Sequence, residues 1–95
     1  MKEVEIEDYL VEQVKAIGGE VRKVKWIGRR GAPDRCVMAD GKTVWVELKR
    51  PGAKAQPHQV REHERMSRAG QWVVVIDSFE LVDKLIVDLS KGVLP

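Results

Sequence analysis

The chain has little cysteine, few aromatics and no long apolar run, and each shortage excludes something. Of its 95 residues one is a cysteine, so no disulfide can form within the chain. Cys36 stands in the apolar run CVMA as a buried free thiol, which suits a reducing cytoplasm. No helix N-terminus or paired histidine lies near it in the sequence, which argues against a nucleophile. No apolar run approaches the ~20 residues that a membrane span requires. The acidic start, MKEVEIEDYL, lacks the basic end and apolar core of a signal peptide. Internal repeats, low-complexity tracts and linkers are missing too. These observations lead to the expectation of one soluble domain over residues 1–95, cytoplasmic and without a membrane partner. A domain this small buries a limited share of its surface, so a homodimer interface would help it.

A formal net charge of +2 hides an uneven distribution. Arg22, Lys23, Lys25, Arg29, Arg30 and Arg35 form one block, opposed only by Asp34. Lys49, Arg50, Lys54, Arg61, Arg65 and Arg68 form a second, with His58 and His63 between them. Segregated basic blocks in a near-neutral chain fit a surface that faces a polyanion. A solvated mixed surface fits them equally well.

Periodicity predicts seven elements. Ile6, Leu10, Val14 and Ile17 make one stripe of a helix over residues 3–17, stopped by Gly18-Gly19. EVRKVKWI, residues 20–27, reads as a strand, and GRRGAP, residues 28–33, as a loop. DRCVMA, residues 34–39, is a second strand, turned at Asp40-Gly41 into a third over residues 43–49. Pro51-Gly52 ends that strand, residues 53–57 are a loop, and HQVREHERMSRA makes a helix from residue 58, closed by Gly70. WVVVI, residues 72–76, reads as a strand buried on both faces. Asp77-Ser78 can cap a last helix with Leu81, Val82, Leu85, Ile86 and Leu89 on its apolar face. The order α-β-β-β-α-β-α gives an α/β fold, a mixed sheet flanked by helices. The unit from strand 43–49 through helix to strand 72–76 has the length of a right-handed crossover.

One strand carries the chemistry. In TVWVELK, residues 43–49, Val44, Val46 and Leu48 share one face, while Trp45, Glu47 and Lys49 share the other. Glu47 and Lys49 could be a surface ion pair worth at most ~1 kcal/mol. They could also be a metal ligand beside a water-activating or phosphate-binding cation. A two-residue turn at Asp40-Gly41 sets Asp34 opposite Glu47 on the neighbouring strand, and two facing carboxylates repel unless a cation lies between them. Oxygen ligands with room for water suit Mg²⁺ or Mn²⁺. Lys49 could then orient or deprotonate a water, or stabilise charge building on a phosphate.

GAPD at residues 31–34 and VELK at residues 46–49 match the PD-(D/E)xK nuclease pattern. The longer string GRRGAPDR, GKTVWVELKRPG, PHQVREHERM and AG resembles the stand-alone, virus-type VRR-NUC domain, over roughly residues 3 to 80. That resemblance implies a restriction-endonuclease-like core and a Mg²⁺- or Mn²⁺-dependent DNA endonuclease. Its compact members resemble Holliday junction resolvases, which implies homodimers acting on branched four-way DNA in a bacterial or phage-infected cell. A flap or nicking nuclease of the same fold, or a non-catalytic DNA-binding module, is the alternative. It assigns Asp34 and Glu47 as metal-binding acids, with the Leu48 carbonyl beside them, Lys49 as the catalytic lysine and Gln59 as a supporting helix glutamine. An acid from the first helix is implied as well; Glu7 matches the pattern, with Glu3 one turn earlier as its competitor. Arg29 and Arg30, directly before the acids, could grip phosphates. Lys23, Lys54 and Arg61 could extend that nucleic-acid-binding surface. His58 and His63 read as surface residues rather than ligands. Trp72 reads as core, Trp45 as packing under the first helix, and Trp26 as the best candidate for stacking on bases or on a second copy, with core packing ahead of both.

Overall fold

The computed structural model describes residues 1–91, so the last four residues of the expected 1–95 domain lie outside the described residues. The elements are α1 (Glu3–Ala16), β1 (Glu20–Lys23), β2 (Arg35–Ala39), β3 (Lys42–Leu48), α2 (Pro57–Arg68), β4 (Trp72–Ile76) and α3 (Phe79–Ser90). This is the order the sequence predicts. The strands form one sheet in the order β1-β2-β3-β4. β1 and β2, and β2 and β3, pair antiparallel, while β3 and β4 run parallel across the α2 crossover.

Alternation along β3 sorts the layers. Val44, Val46 and Leu48 are each 1% exposed or less, and they point into the main core. Ile6, Leu10 and Val14 of α1 cover them together with Val82, Leu85 and Leu89 of α3. Each of these side chains is worth about 1.5–3 kcal/mol when fully buried, so this layer carries most of the folding energy. Tyr9 of α1 stacks on Phe79 of α3, with ring centroids 4.4 Å apart, and donates its hydroxyl hydrogen to Asp83 at 2.6 Å. The opposite face of the sheet receives α2, which buries Glu62, His63 and Met66. Between β2 and β3, Asp40 and Gly41 both have positive φ, 52° and 76°, as a two-residue hairpin turn with the twist of its strands requires.

Several boundaries differ from the expectation. β1 stops at Lys23 instead of Ile27, because its partner ladder begins at Arg35 and leaves later residues nothing to pair with. The Val24 amide donates to the Asp34 carbonyl at 3.0 Å, and the chain then leaves the sheet. α1 ends before Ile17, which caps it and is 40% exposed, outside the buried stripe. On α3, Val82, Leu85 and Leu89 are buried and Ile86 packs part-buried against the core, while Leu81 falls outside the stripe at 39% exposure. β4 is an edge strand rather than a doubly buried one, and α2 covers only part of its second face, so Val75 is 39% exposed.

Candidate active site

The acid pair is built by a turn and a register. Pro33 is fully buried and fixes its own backbone angle, which brings the chain into the sheet at one orientation. Asp34 immediately precedes β2, whose ladder pairs Arg35 with Val46; one step further sets Asp34 opposite Glu47. The Leu48 amide donates to Asp34 Oδ2 at 2.8 Å and locks that placement.

Glu47 is 2% exposed, an unusual position for a carboxylate. Its Oε2 accepts from Lys49 Nζ at 3.1 Å and from Gln59 Nε2 at 2.8 Å. Gln59 is fixed at its other end, where its Oε1 accepts from the Gln56 amide at 2.8 Å and ties the first turn of α2. Glu47 Oε1 is buried and has no hydrogen-bond partner among the described residues. Burial, and then the Asp34 charge, push the Glu47 carboxyl up from its ordinary value, while Lys49 and Gln59 pull it part of the way back. An unpartnered oxygen on a buried acid, facing a second acid, fits a divalent cation by the chemistry of the donors. Asp34, Glu47, Lys49 and Gln59 are therefore brought together.

A solved structure titled "VRR_NUC domain" matches this chain with a TM-score of 0.83 and 45% sequence identity, covering 92% of this chain and 96% of that one. A relative from Acyrthosiphon pisum secondary endosymbiont phage 1, "Putative nuclease p44", is 46% identical over 82 residues, which is 85% of this chain and 88% of that protein. The chain belongs to the VRR-NUC family. No family model matches the sequence.

In this VRR-NUC chain the first-helix acid is placed differently from its four companions. Glu7 Oε2 accepts from Arg35 Nε at 2.8 Å, in a half-buried pair. Arg35 pairs with Val46 and so points to the α1 side of the sheet, whereas Asp34 and Glu47 belong to the α2 side. No group of three or more His, Cys, Asp or Glu able to hold a metal is assembled among the described residues, so Glu7 does not join the acid pair. Glu3 is exposed.

The basic candidates Lys23, Arg29, Arg30, Lys54 and Arg61 are all exposed. Arg29 lies 3.6 Å from Glu62, and Arg30 Nη2 is 3.4 Å from His58 Nδ1 at the start of α2. The glycine loop therefore rests against the same helix that supports Glu47. Gly31 makes this possible: its φ is +95°, and a Cβ there would come within 2.8 Å of both Glu62 Cβ and the His58 carbonyl.

Three further expectations are corrected. His63 is 8% exposed rather than a surface residue, because it lies four residues beyond Gln59 and shares the helix face turned to the sheet. Burial lowers its pKa, and the Lys49 charge acts the same way against Glu62, Asp34 and the Gly31 backbone. Trp45 does not pack under α1; it stands on the α2 side, in an edge-on contact with Trp26 at 5.7 Å, and donates to Gln71 Oε1 at 2.9 Å. Cys36 is half-buried rather than buried, and burial raises its thiol pKa against the opposing Arg22 charge. Trp72 is core, as expected, at 9% exposure.

Sequence reasoning passed over Glu62. This acid is 4% exposed and accepts from the Trp26 indole at 2.7 Å and from Arg65 Nε at 2.9 Å. Its spacing of three from Gln59 was the available signal, since that spacing turns both side chains toward the same layer. No helix among the described residues is long and apolar enough to cross a membrane.

Proposed function

We propose that this chain is a divalent-metal-dependent endonuclease that hydrolyses DNA phosphodiesters and cuts four-way junctions as a homodimer. The observation that carries the reading is the buried Glu47 carboxylate, with one oxygen held by Lys49 and Gln59 and the other left without a partner beside Asp34. Asp34, Glu47 and the Leu48 carbonyl would hold Mg²⁺ or Mn²⁺, whose chemistry is to polarise a phosphate oxygen and lower the pKa of a bound water.

The remaining roles follow from the chain's own atoms. The Leu48 amide fixes one Asp34 oxygen, leaving the other for the ligand set. Gln59 aims the Glu47 carboxylate and ties α2 to the strand, while its bond from the Gln56 amide fixes its own side chain at the helix start. The Lys49 ammonium, 3.1 Å from Glu47, is placed to orient an attacking water and to offset charge that builds on the phosphate. The water gives up a proton to solvent as its oxygen bonds to phosphorus and the opposite ester bond breaks, and the leaving oxygen takes up a proton from solvent. Arg29 and Arg30, with Lys23, Lys54 and Arg61, supply exposed cations for the flanking phosphates. Glu7 contributes at one remove, by holding Arg35, the residue after Asp34.

Paired incisions across a junction require two sites related by a two-fold axis, which a homodimer provides. The free edge of β4, with Val75 exposed, leaves apolar surface for such pairing. The test is a cleavage panel of four-way junction, flap, nicked duplex and single strand, with Mg²⁺, Mn²⁺ or a chelator, run beside sedimentation analysis. The expected result is a dimer that makes two symmetric nicks in the junction and none with chelator. A monomer that cuts flaps or nicks in preference would overturn the junction reading, and cleavage in chelator would overturn metal dependence.

A further inference from the structure

The loop between β1 and β2 presents an apolar residue where solvent would favour a polar one. Ile27 is 96% exposed, far beyond the other exposed large hydrophobic side chains, of which Met1 at 62% comes next. Single exposed apolar residues are common and by themselves mean little. Here the surroundings add information. Lys25 precedes Ile27, Arg29 and Arg30 follow it, and all three are exposed. Asp34 begins the acid pair at the end of the same loop.

The loop is also held at several points. Trp26, directly before Ile27, donates its indole hydrogen to Glu62 at 2.7 Å and packs edge-on against Trp45. Arg29 faces the same carboxylate at 3.6 Å, and Gly31 sits against α2 at His58 and Glu62. Gly28, with φ +84°, bends the chain between these anchors and leaves Ile27 at the turn. Glu62 is a buried acid that the proposed hydrolysis does not use, and its partners Trp26 and Arg29 both belong to this loop. Burial works against its charge, but Trp26, Arg65 and Arg29 together outweigh it and hold the carboxyl below its ordinary range.

We propose that Ile27 is an apolar wedge, carried between cations by the loop over residues 24–31, which enters the base stack where a branch already weakens the stacking. Glu62 is the positioning residue that keeps the loop in this shape. Intercalating wedges are apolar side chains flanked by phosphate contacts, and unstacking costs least at a step that has lost a neighbour. An intact duplex would have to be unstacked first, so the wedge favours branched substrates. The inference rests on the proposed action on branched DNA and adds the residue that senses the branch.

The test is binding, in chelator, to a junction carrying 2-aminopurine at the branch point and to a matched plain duplex. Wild-type protein should raise the junction's 2-aminopurine fluorescence. Ile27→Ser should lose that rise and bind the junction about tenfold more weakly, as loss of a buried aliphatic contact implies. Its thermal midpoint and sedimentation should match wild type, since the side chain is packed against nothing. Glu62→Gln keeps the indole bond but loses both arginine pairings; it should bind the junction more weakly while Mn²⁺ titration of the Asp34–Glu47 pair is unchanged. If wild type shows no preference for the junction, the functional reading falls and this one falls with it. If wild type prefers the junction and Ile27→Ser keeps both affinity and fluorescence rise, the wedge alone is overturned. Loss of the dimer in Ile27→Ser would overturn it as well, by making Ile27 an interface residue.

Discussion

Glu47 concentrates the energetic conflict in this molecule. A carboxylate 2% exposed, with another acid opposite, is costly to fold unless its charge is compensated. Lys49 and Gln59 compensate one oxygen, and the other has no hydrogen-bond partner among the described residues. His63, four residues from Gln59, is the buried base on this side, beside the buried acids Glu47 and Glu62, and its effect on stability has a definite sign. Folding lowers its pKa below the ordinary 6.5, so the unfolded chain takes up the proton more readily than the folded one. Its contribution is complete above the unfolded value and is lost as pH falls from there through the folded value. Thermal melts from about pH 8 to about pH 5 should therefore show a falling midpoint in wild type, in the range where histidine titrates. His63→Gln should show a shallower fall, and an equal fall in both would remove His63 as the cause. The sequence made Glu47 and Lys49 legible because strand alternation is strict, and Asp34 because a two-residue turn leaves one register. Burial of Glu62 and His63 was harder to read. It depends on which face of an amphipathic helix meets the sheet, and the charges of HERMSR mask that face.

At the scale of elements, the site is held from both sides of the sheet. α2 supports Glu47 through Gln59, and α1 reaches the neighbouring strand through the Glu7–Arg35 pair at 2.8 Å. Arg35 follows Asp34 directly, so α1 steadies the strand end that carries the acid without contributing to the acid pair itself. Glu7→Gln should lower the cleavage rate by about tenfold, as the loss of an outer-shell partner does. It should also cost on the order of 1–3 kcal/mol of stability, as a broken charge-assisted bond does. Glu3→Gln, at an exposed position, should change neither; kinetics and denaturant unfolding of both variants decide. A larger effect from Glu3→Gln would overturn the assignment of Glu7. The order of elements was readable because each apolar pattern is short, regular and bounded by glycine or proline. The end of β1 was not: EVRKVKWI has strand-forming residues throughout, and only the start of β2 at Arg35 shows that the ladder ends at Lys23, with one further backbone bond from Val24 to Asp34. The edge position of β4 was equally hidden, since WVVVI has the composition of a central strand and no pattern in it counts its neighbours.

Across the whole molecule, three layers divide the labour. The α1–α3 layer covers an apolar core that leaves the sheet little freedom, and the α2 layer covers the acids. The α1–α3 layer backs the register that brings Asp34 and Glu47 together, while Arg29 and Arg30 rest against α2 and Lys23, paired with Arg35, stands on the α1 side. Placing a metal and a phosphate at a site built on strand ends needs this rigidity, because errors of an ångström in position are expensive in rate. The proposed chemistry depends on three residues that contribute nothing to the main core. Replacing them should therefore separate activity from folding. The most direct measurement is the cleavage of a four-way junction in Mn²⁺ by wild type and by Asp34→Asn, Glu47→Gln and Lys49→Ala, with folding checked by circular dichroism. The expected result is folded variants whose cleavage is lower by at least about a hundredfold, the scale of losing a preorganised charge at the reacting centre. A folded Asp34→Asn or Lys49→Ala variant that cuts at the wild-type rate would contradict it.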